Sequence, residues 1–330
     1  MQRMTKRHIL VTGGAGYIGS HMTLALLGAG ERPLVIDNLS TGSRAIVPAE
    51  VPFFEGNVGD ADFVGRIMDE HPIEAIIHFA ASIVVPESVT QPLAYYGNNT
   101  ANARTLLDCA VKRGVPHVVF SSTAAVYGEP DRTPVGEDDP TRPINPYGRS
   151  KLMVEWMLAD VAQAYPFSYA ALRYFNVAGA DPQGRAGQST PNATHLIKIA
   201  VQAALGKRPG LEVYGTDYST PDGSCIRDYV HVSDLAQAHL DALDYLRAGK
   251  PSITCNIGYA NGYSVLDVID VVKRVSGVDF EVRIKGRRAG DPAALIAANQ
   301  RARTALNWTP RYDDLEQIVR DALAWERRLG

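Results

Sequence analysis

The stretch Thr12-Gly13-Gly14-Ala15-Gly16-Tyr17-Ile18-Gly19 directly follows the apolar run His8-Ile9-Leu10-Val11. Nothing else in the sequence restricts its folding so tightly. Two glycine spacings coexist in it: Gly14, Gly16 and Gly19 make GxGxxG, while Gly13, Gly16 and Gly19 make GxxGxxG. Glycines between a strand and a helix allow a tight turn, close backbone approach to a pyrophosphate, and close helix–strand packing. The helix N-terminus then offers free N–H groups and partial positive charge to phosphates. A dinucleotide site in a βα unit is the expectation.

The segments that follow fit that unit. Short apolar runs at Pro33–Asp37, Val51–Glu55, Ala75–Phe79, His117–Phe120 and Tyr169–Arg173 read as strands. Helical periodicity separates them over Tyr17–Leu27, Asp60–Glu70, Asn102–Lys112 and Tyr147–Ala164. Continuous apolar strands alternating with helices predict an α/β fold, a doubly wound parallel sheet of Rossmann type covered on both faces. After Phe175 the pattern loosens. Helices are expected at Ala193–Leu205 and at Ser233–Leu246, the latter capped by Ser233, with short pieces and loops elsewhere. Ile253–Ile257 reads as one more strand of the first sheet. The expected division is a cofactor-binding unit over 1–176 with a return at about 228–258. A smaller mixed α/β substrate unit takes 177–227 and 259–330.

The 330 residues carry a formal net charge of −3, which gives no general attraction for nucleic acid or an anionic membrane. Cys109, Cys225 and Cys255 are far apart and show no CxxC spacing, so neither a disulfide framework nor a metal site is expected. Met1–Arg7 is short and basic, and the apolar stretch behind it is too short for a signal-peptide core. No run approaches the length of a membrane span. A cytoplasmic location is expected.

Asp37 ends the second strand, where a carboxylate bonds both hydroxyls of an adenosine ribose and repels a 2′-phosphate. The cofactor is therefore expected to be NAD. Tyr147 and Lys151, at i and i+4, share a helix face. A lysine charge there stabilises a tyrosinate and lowers the phenol's pKa, so the tyrosine can take a proton from a substrate hydroxyl. Thr123 lies at a strand's C-terminal end, placed to share a hydrogen bond with the same substrate oxygen.

These features together resemble the extended short-chain dehydrogenase/reductase superfamily. The segments TGGAGYIGSH, VIDNLS, IIHFAA, YYGNN, SSTAAVYG, INPYGRSKLMVE, LRYFNVAGA, GTDYSTPDGSCIRDYVHV, CNIG and RRAGDP narrow it to the UDP-galactose 4-epimerase family. They follow that family's order from residue 8 to about 292. The resemblance implies that Tyr147 is the general base and acid, that Lys151 bonds the nicotinamide ribose, and that Thr123 assists proton transfer. It puts Gly13, Gly16, Tyr17, Ile18 and Gly19 at the pyrophosphate and Asp37 and Asn38 at the adenosine ribose. Asn57, Val58, Phe79, Ala80, Ala81, Asn98 and Phe175 take further cofactor positions. For the substrate it implies Asn176, Arg227 and Arg288 at the UDP phosphates, His195 and Leu196 over the nucleotide, Tyr214 at uracil and Asp291 at the uridine ribose. Two separated arginines also suit a diphosphate on chemical grounds.

The implied reaction oxidises C4 of a UDP-hexose, lets the 4-keto sugar swing about its diphosphate, and reduces the other face. Asn57 replaces an aspartate at the adenine amino group, and its amide oxygen is expected to accept that bond. Ala81-Ser82-Ile83 replaces a Gly-Leu-Lys found in some members, and His195 an asparagine. Leu295 replaces a tyrosine that excludes N-acetylated sugars, which suggests tolerance of UDP-N-acetylhexosamine. Ala124-Ala125 stand where a 4,6-dehydratase needs an acid and a base. A UDP-glucuronate or UDP-pentose epimerase, and a non-catalytic NAD-sensing protein, are the other readings. A homodimer is expected through the helices Asn102–Lys112 and Tyr147–Ala164, with Leu106, Leu107, Met153 and Trp156 at the interface.

Overall fold

Strands without polar interruptions need a covered layer on each face, and helices supply both layers here. A computed structural model describes residues 7–190, 193–288 and 291–330. The chain opens with β1 (His8–Thr12), α1 (Tyr17–Gly28), β2 (Pro33–Asp37), β3 (Phe53–Glu55), α2 (Ala61–Glu70) and β4 (Ile73–His78). Helices α3 (Val85–Thr90) and α4 (Pro92–Tyr95) and a π-helical turn at Tyr96–Ala101 lead into α5 (Asn102–Lys112). Then come β5 (His117–Thr123), α6 (Pro146–Ala164), β6 (Ser168–Tyr174), β7 (Asn176–Ala178), α7 (Leu196–Ala204), β8 (Leu211–Tyr214) and β9 (Ile226–His231). The rest is α8 (Val232–Arg247), β10 (Ile253–Ile257), β11 (Gly262–Ser264), α9 (Val265–Ser276), β12 (Val282–Lys285), β13 (Ala294–Leu295), α10 (Gln300–Ala305) and α11 (Leu315–Arg328).

Seven parallel strands form one sheet in the order β10-β6-β5-β4-β1-β2-β3. The strand order reverses between β1 and β4, the switch point where open α/β sheets bind ligands. Alternate residues point to opposite faces. Ile9, Val11, Val35, Ile77 and Val119 join the layer of α1 and α8, whereas Leu10, Leu34, Ile36, Ile76 and Val118 join that of α2, α5 and α6.

The second half is more regular than its sequence suggests. β7, β9, β11 and β13 form a small mixed sheet, β8 pairs with β12, and α7, α9 and α11 pack together. Their apolar residues, among them Ile197, Val201, Val268, Trp308 and Leu315, belong to the same core as the α1–α8 face of the large sheet. Helix α9 has a full capping box, Ser264 with Asp267, and ends at Gly277 with φ +72.

Three expectations need correction. Helix α8 is capped by His231, not Ser233: the His231 ring Nδ1 accepts the Ser233 N–H at 3.0 Å. The chain passes from β9 straight into α8, so the cap falls on the strand's last residue. The helix expected from Ala193 begins at Leu196. Leu106 and Leu107 lie in the core between α5 and the sheet, 1% and 6% exposed, so they face no partner. Met153 is half-buried, and only Trp156 of that set is well exposed, at 58%. The three cysteines are buried and free.

Candidate active site

The glycine loop has no room for side chains. Gly13 sits at φ +71, and a Cβ there would lie 2.7 Å from the Ala80 backbone nitrogen; a Cβ on Gly19 would lie 2.1 Å from the Gly13 carbonyl oxygen. The Asp37 carboxylate accepts the Ala15 N–H at 2.9 Å and the Leu39 N–H at 2.8 Å, so it shapes the loop from the end of β2. Each of its oxygens keeps a further lone pair for a ribose hydroxyl. A cavity of about 180 Å³ beside Ala15 and Tyr17 is walled by Leu39–Ser43, Ile46, Ser189 and Thr190. A bare cradle, a helix N-terminus and a carboxylate fit a dinucleotide. Tyr17 donates its hydroxyl to the Gly179 carbonyl at 2.7 Å, tying this loop to the segment after β7. Ile18, in the first turn of α1, is half-buried, and Asn38 is exposed with its Oδ1 accepting the Ser40 N–H.

At the adenine end Asn57 is already engaged within the protein. Its Oδ1 already accepts the Gly59 N–H at 2.8 Å and the Asn102 amide at 3.1 Å. An adenine amino group would therefore take the place of the Asn102 amide on that oxygen. The Val58 side chain is buried in the core, which leaves its backbone for contact. Near β4's end, Phe79 packs on His239 at 4.8 Å and Ala80 crosses over Thr12 and Gly13, with Ala81 half-buried next in line. Asn98 donates to Ser82 Oγ at 2.9 Å and accepts from Asn102. Its buried neighbour Asn99 bonds Ser82 and Ser150, linking this loop to α6.

Helix α6 starts sharply because Asn145 caps it through the Gly148 N–H at 2.8 Å and Pro146 takes the first position. Gly148 lets the helix approach β5: a Cβ there would lie 2.6 Å from the Ala125 carbonyl oxygen. The approach brings buried Tyr147 up to Thr123 at the tip of β5, close enough for the Thr123 hydroxyl to act on its phenol. Lys151, one turn on, donates to the Ser121 carbonyl at 2.9 Å and lies over the Phe120 ring. Burial pushes the Lys151 ammonium down to about 7, against the pull of the Glu155 carboxylate. Burial also raises the Tyr147 phenol, and the Thr123 bond opposes that. The expectation that the phenol is lowered is therefore revised: burial is the larger influence and leaves it raised.

On the substrate side, Asn176 opens β7 and His195 precedes α7, where Leu196 begins. The His195 Nδ1 meets the Gln188 Nε2 at 2.7 Å, and burial lowers its pKa. Arg227 donates from Nη1 to the Ile226 and Pro292 carbonyls, both at 2.8 Å, and its Nη2 lies 3.7 Å from Asp291. The Arg288 guanidinium stacks 4.2 Å over the Tyr214 ring. Ala289 and Gly290 of the RRAGDP segment lie outside the described residues. Leu295 pairs with Arg227 between strands and packs against the apolar cluster that includes Ala124 and Phe175. The structure thus brings Arg227, Asp291, Arg288 and Tyr214 to one strand-end region, from segments far apart in sequence. Sequence reasoning missed Gln188, Asn99, Arg173, Tyr174 and Glu155; only Glu155 carried a signal, two helical turns beyond Tyr147 on the same face.

The family model described as the NAD dependent epimerase/dehydratase family matches residues 9–258. A UDP-glucose 4-epimerase of Azospirillum brasilense is 56% identical over 328 residues, spanning 99% of this chain and 94% of that protein. The crystal structure of UDP-glucose 4-epimerase from Brucella ovis in complex with NAD matches with TM-score 0.94 and 45% identity, over 96% of this chain and 98% of that one. The UDP-Glc/GlcNAc 4-epimerase of Campylobacter jejuni matches with TM-score 0.85 and 48% identity, over 98% and 99%.

Proposed function

Because the chain belongs to the NAD dependent epimerase/dehydratase family, we propose that it interconverts UDP-glucose and UDP-galactose by oxidation and re-reduction at C4. The observation that carries this is buried Lys151, its ammonium on the Ser121 carbonyl, one helical turn from buried Tyr147 and Thr123 at the tip of β5, with alanines at 124 and 125. Those alanines leave no acid or base for dehydration. NAD, when bound, supplies reversible hydride acceptance.

The protein's own residues do the rest. The Tyr147 hydroxyl oxygen takes the 4-hydroxyl proton and later returns it. Thr123 orients that oxygen, and the Lys151 charge favours the phenolate. The glycine loop with Asp37 holds the dinucleotide. Arg227 and Arg288 grip the diphosphate, Tyr214 faces the base, and Asp291 the ribose. Asn176, His195 and Leu196 close the nucleotide side. Firm diphosphate anchors and a loosely held hexose let the 4-keto sugar turn over. In this reading 1–176 with 228–258 carry the cofactor, and 177–227 with 259–330 carry the UDP-sugar.

Purified protein given UDP-galactose is expected to produce UDP-glucose with no added nicotinamide, and NAD is expected in mass spectra of the denatured protein. An NAD-loaded protein that leaves UDP-galactose untouched would sink the reading.

Leu295 beside Ala124 and Phe175 favours a second substrate class, UDP-N-acetylhexosamine, because leucine takes less space than a tyrosine. The similar Campylobacter protein is named for both sugars. We further propose a homodimer. Val89 on α3, Leu93 on α4 and Trp156 on α6 are 62%, 82% and 58% exposed, and α3 and α4 pack against α6. No helix of the described residues is long and apolar enough to cross a membrane, in keeping with a cytoplasmic site of action.

A further inference from the structure

We propose that Glu155 is a positioning residue: through Ser122 it pins the tip of β5 to the catalytic face of α6, and it is the counter-charge of Lys151. This rests on the epimerase reading above.

Tyr147, Lys151 and Glu155 stand at successive i+4 steps on α6, so one face carries all three. All three are buried. Each reaches a different residue of β5. Tyr147 lies at Thr123, Lys151 bonds the Ser121 carbonyl, and Ser122 donates its hydroxyl to Glu155 Oε1. The Ser122 contact is the one in the middle, and it involves no reacting group. It therefore fixes the helix–strand register on which the other two depend. Placement errors of an ångström at such contacts cost large factors in rate.

Glu155 is itself held from β6. Arg173 Nη2 and Nε donate to its carboxylate at 2.6 and 3.0 Å. Arg173 also donates to the Tyr127 hydroxyl at 3.0 Å, and Tyr127 donates to Asn256 Oδ1 on β10 at 2.7 Å. The brace thus runs from α6 across β6 to β10. A buried ion pair supported by hydrogen bonds is an uncertain source of stability but a strong constraint on geometry. The other ionisable groups facing Tyr147 and Lys151 are His78 from β4, Tyr95 from α4 and Tyr174 from β6. Burial holds His78 neutral and raises both tyrosines, so Glu155 is the anion that supports the Lys151 charge.

Two variants separate the two roles. Ser122→Ala removes the pin and keeps both charges. It is expected to lower kcat by roughly tenfold, with KM for UDP-galactose within about twofold and the alkaline limb of kcat unmoved. Glu155→Gln keeps an acceptor for Ser122 and removes the charge. Lys151 must be protonated to act, so its rate contribution falls as pH rises through its pKa. Losing the anion lowers that pKa, and the alkaline limb is expected to move down by about one pH unit. If Glu155→Gln leaves Arg173 unpaired and the chain unable to fold, Glu155→Gln/Arg173→Gln removes that unpaired guanidinium as well and is read in the same way, with a smaller downward shift. All assays use NAD-loaded protein beside the parent. A parent that fails to epimerise UDP-galactose refutes the reaction. A parent that works, with variants that lose thermal stability while kcat and pH profile stay unchanged, refutes the role of Glu155. If neither charge variant folds, the Ser122→Ala kcat alone decides.

Discussion

At the residue scale, the decisive groups do opposite things with burial. Tyr147 needs to lose a proton at neutral pH, yet burial raises its phenol; the Thr123 hydrogen bond is the protein's counterweight. Tyr147→Phe is expected to cut epimerisation by about 10³-fold while NAD stays bound, measured by UDP-glucose formed and by cofactor released on denaturation. Thr123→Val removes the counterweight, so the phenol rises further. The acidic limb of kcat then moves to higher pH, and an unmoved limb would contradict the assignment. Leu295→Tyr is expected to abolish turnover of UDP-N-acetylglucosamine and spare UDP-glucose, in a paired assay. The triad was legible because its logic is local: an i, i+4 pair and a strand end. The partners of Asn57 were not legible in that way: its amide oxygen accepts from Gly59 and from Asn102, and the Asn102 partner lies 45 positions away.

At the element scale, the first βα units were readable because parallel strands buried on both faces have no polar breaks to blur them. The later elements were harder. Helix α9 advertises Ser264 and Asp267 as a capping box, but the sheet it leans on is assembled from β7, β9, β11 and β13, whose pairing no local pattern specifies. Single side chains join these pieces. Asp234, on the first turn of α8, accepts the Arg311 and Tyr312 N–H groups, both at 2.9 Å, and the Tyr259 hydroxyl at 2.6 Å. Asp234→Ala strands those donors in a buried joint. It is expected to cost about 2–4 kcal/mol, seen as a lowered thermal midpoint. An unchanged midpoint would show that the joint is held elsewhere.

At the scale of the whole molecule, the unsolved question is which surface stays wet. The glycine loop and RRAGDP segment announce where ligands go, because chemistry dictates residue types there. A face that meets another subunit has no such signature, so Leu106 and Leu107 were assigned to it when they line the core. The folded chain narrows the choice. Large apolar side chains seldom cluster in water on a monomer, yet Val89, Leu93 and Trp156 stand exposed on adjoining helices of the layer that carries Tyr147. A twofold axis through such a face lets each subunit cover the other's α6. Leu93→Asp/Trp156→Asp places four carboxylates in that seam and is expected to give a monomer by sedimentation, still loaded with NAD. Because α6 bears the catalytic face on its other side, the monomer is also expected to lose kcat while KM for the UDP-sugar holds. A double variant that sediments as the parent does would move the interface to another surface.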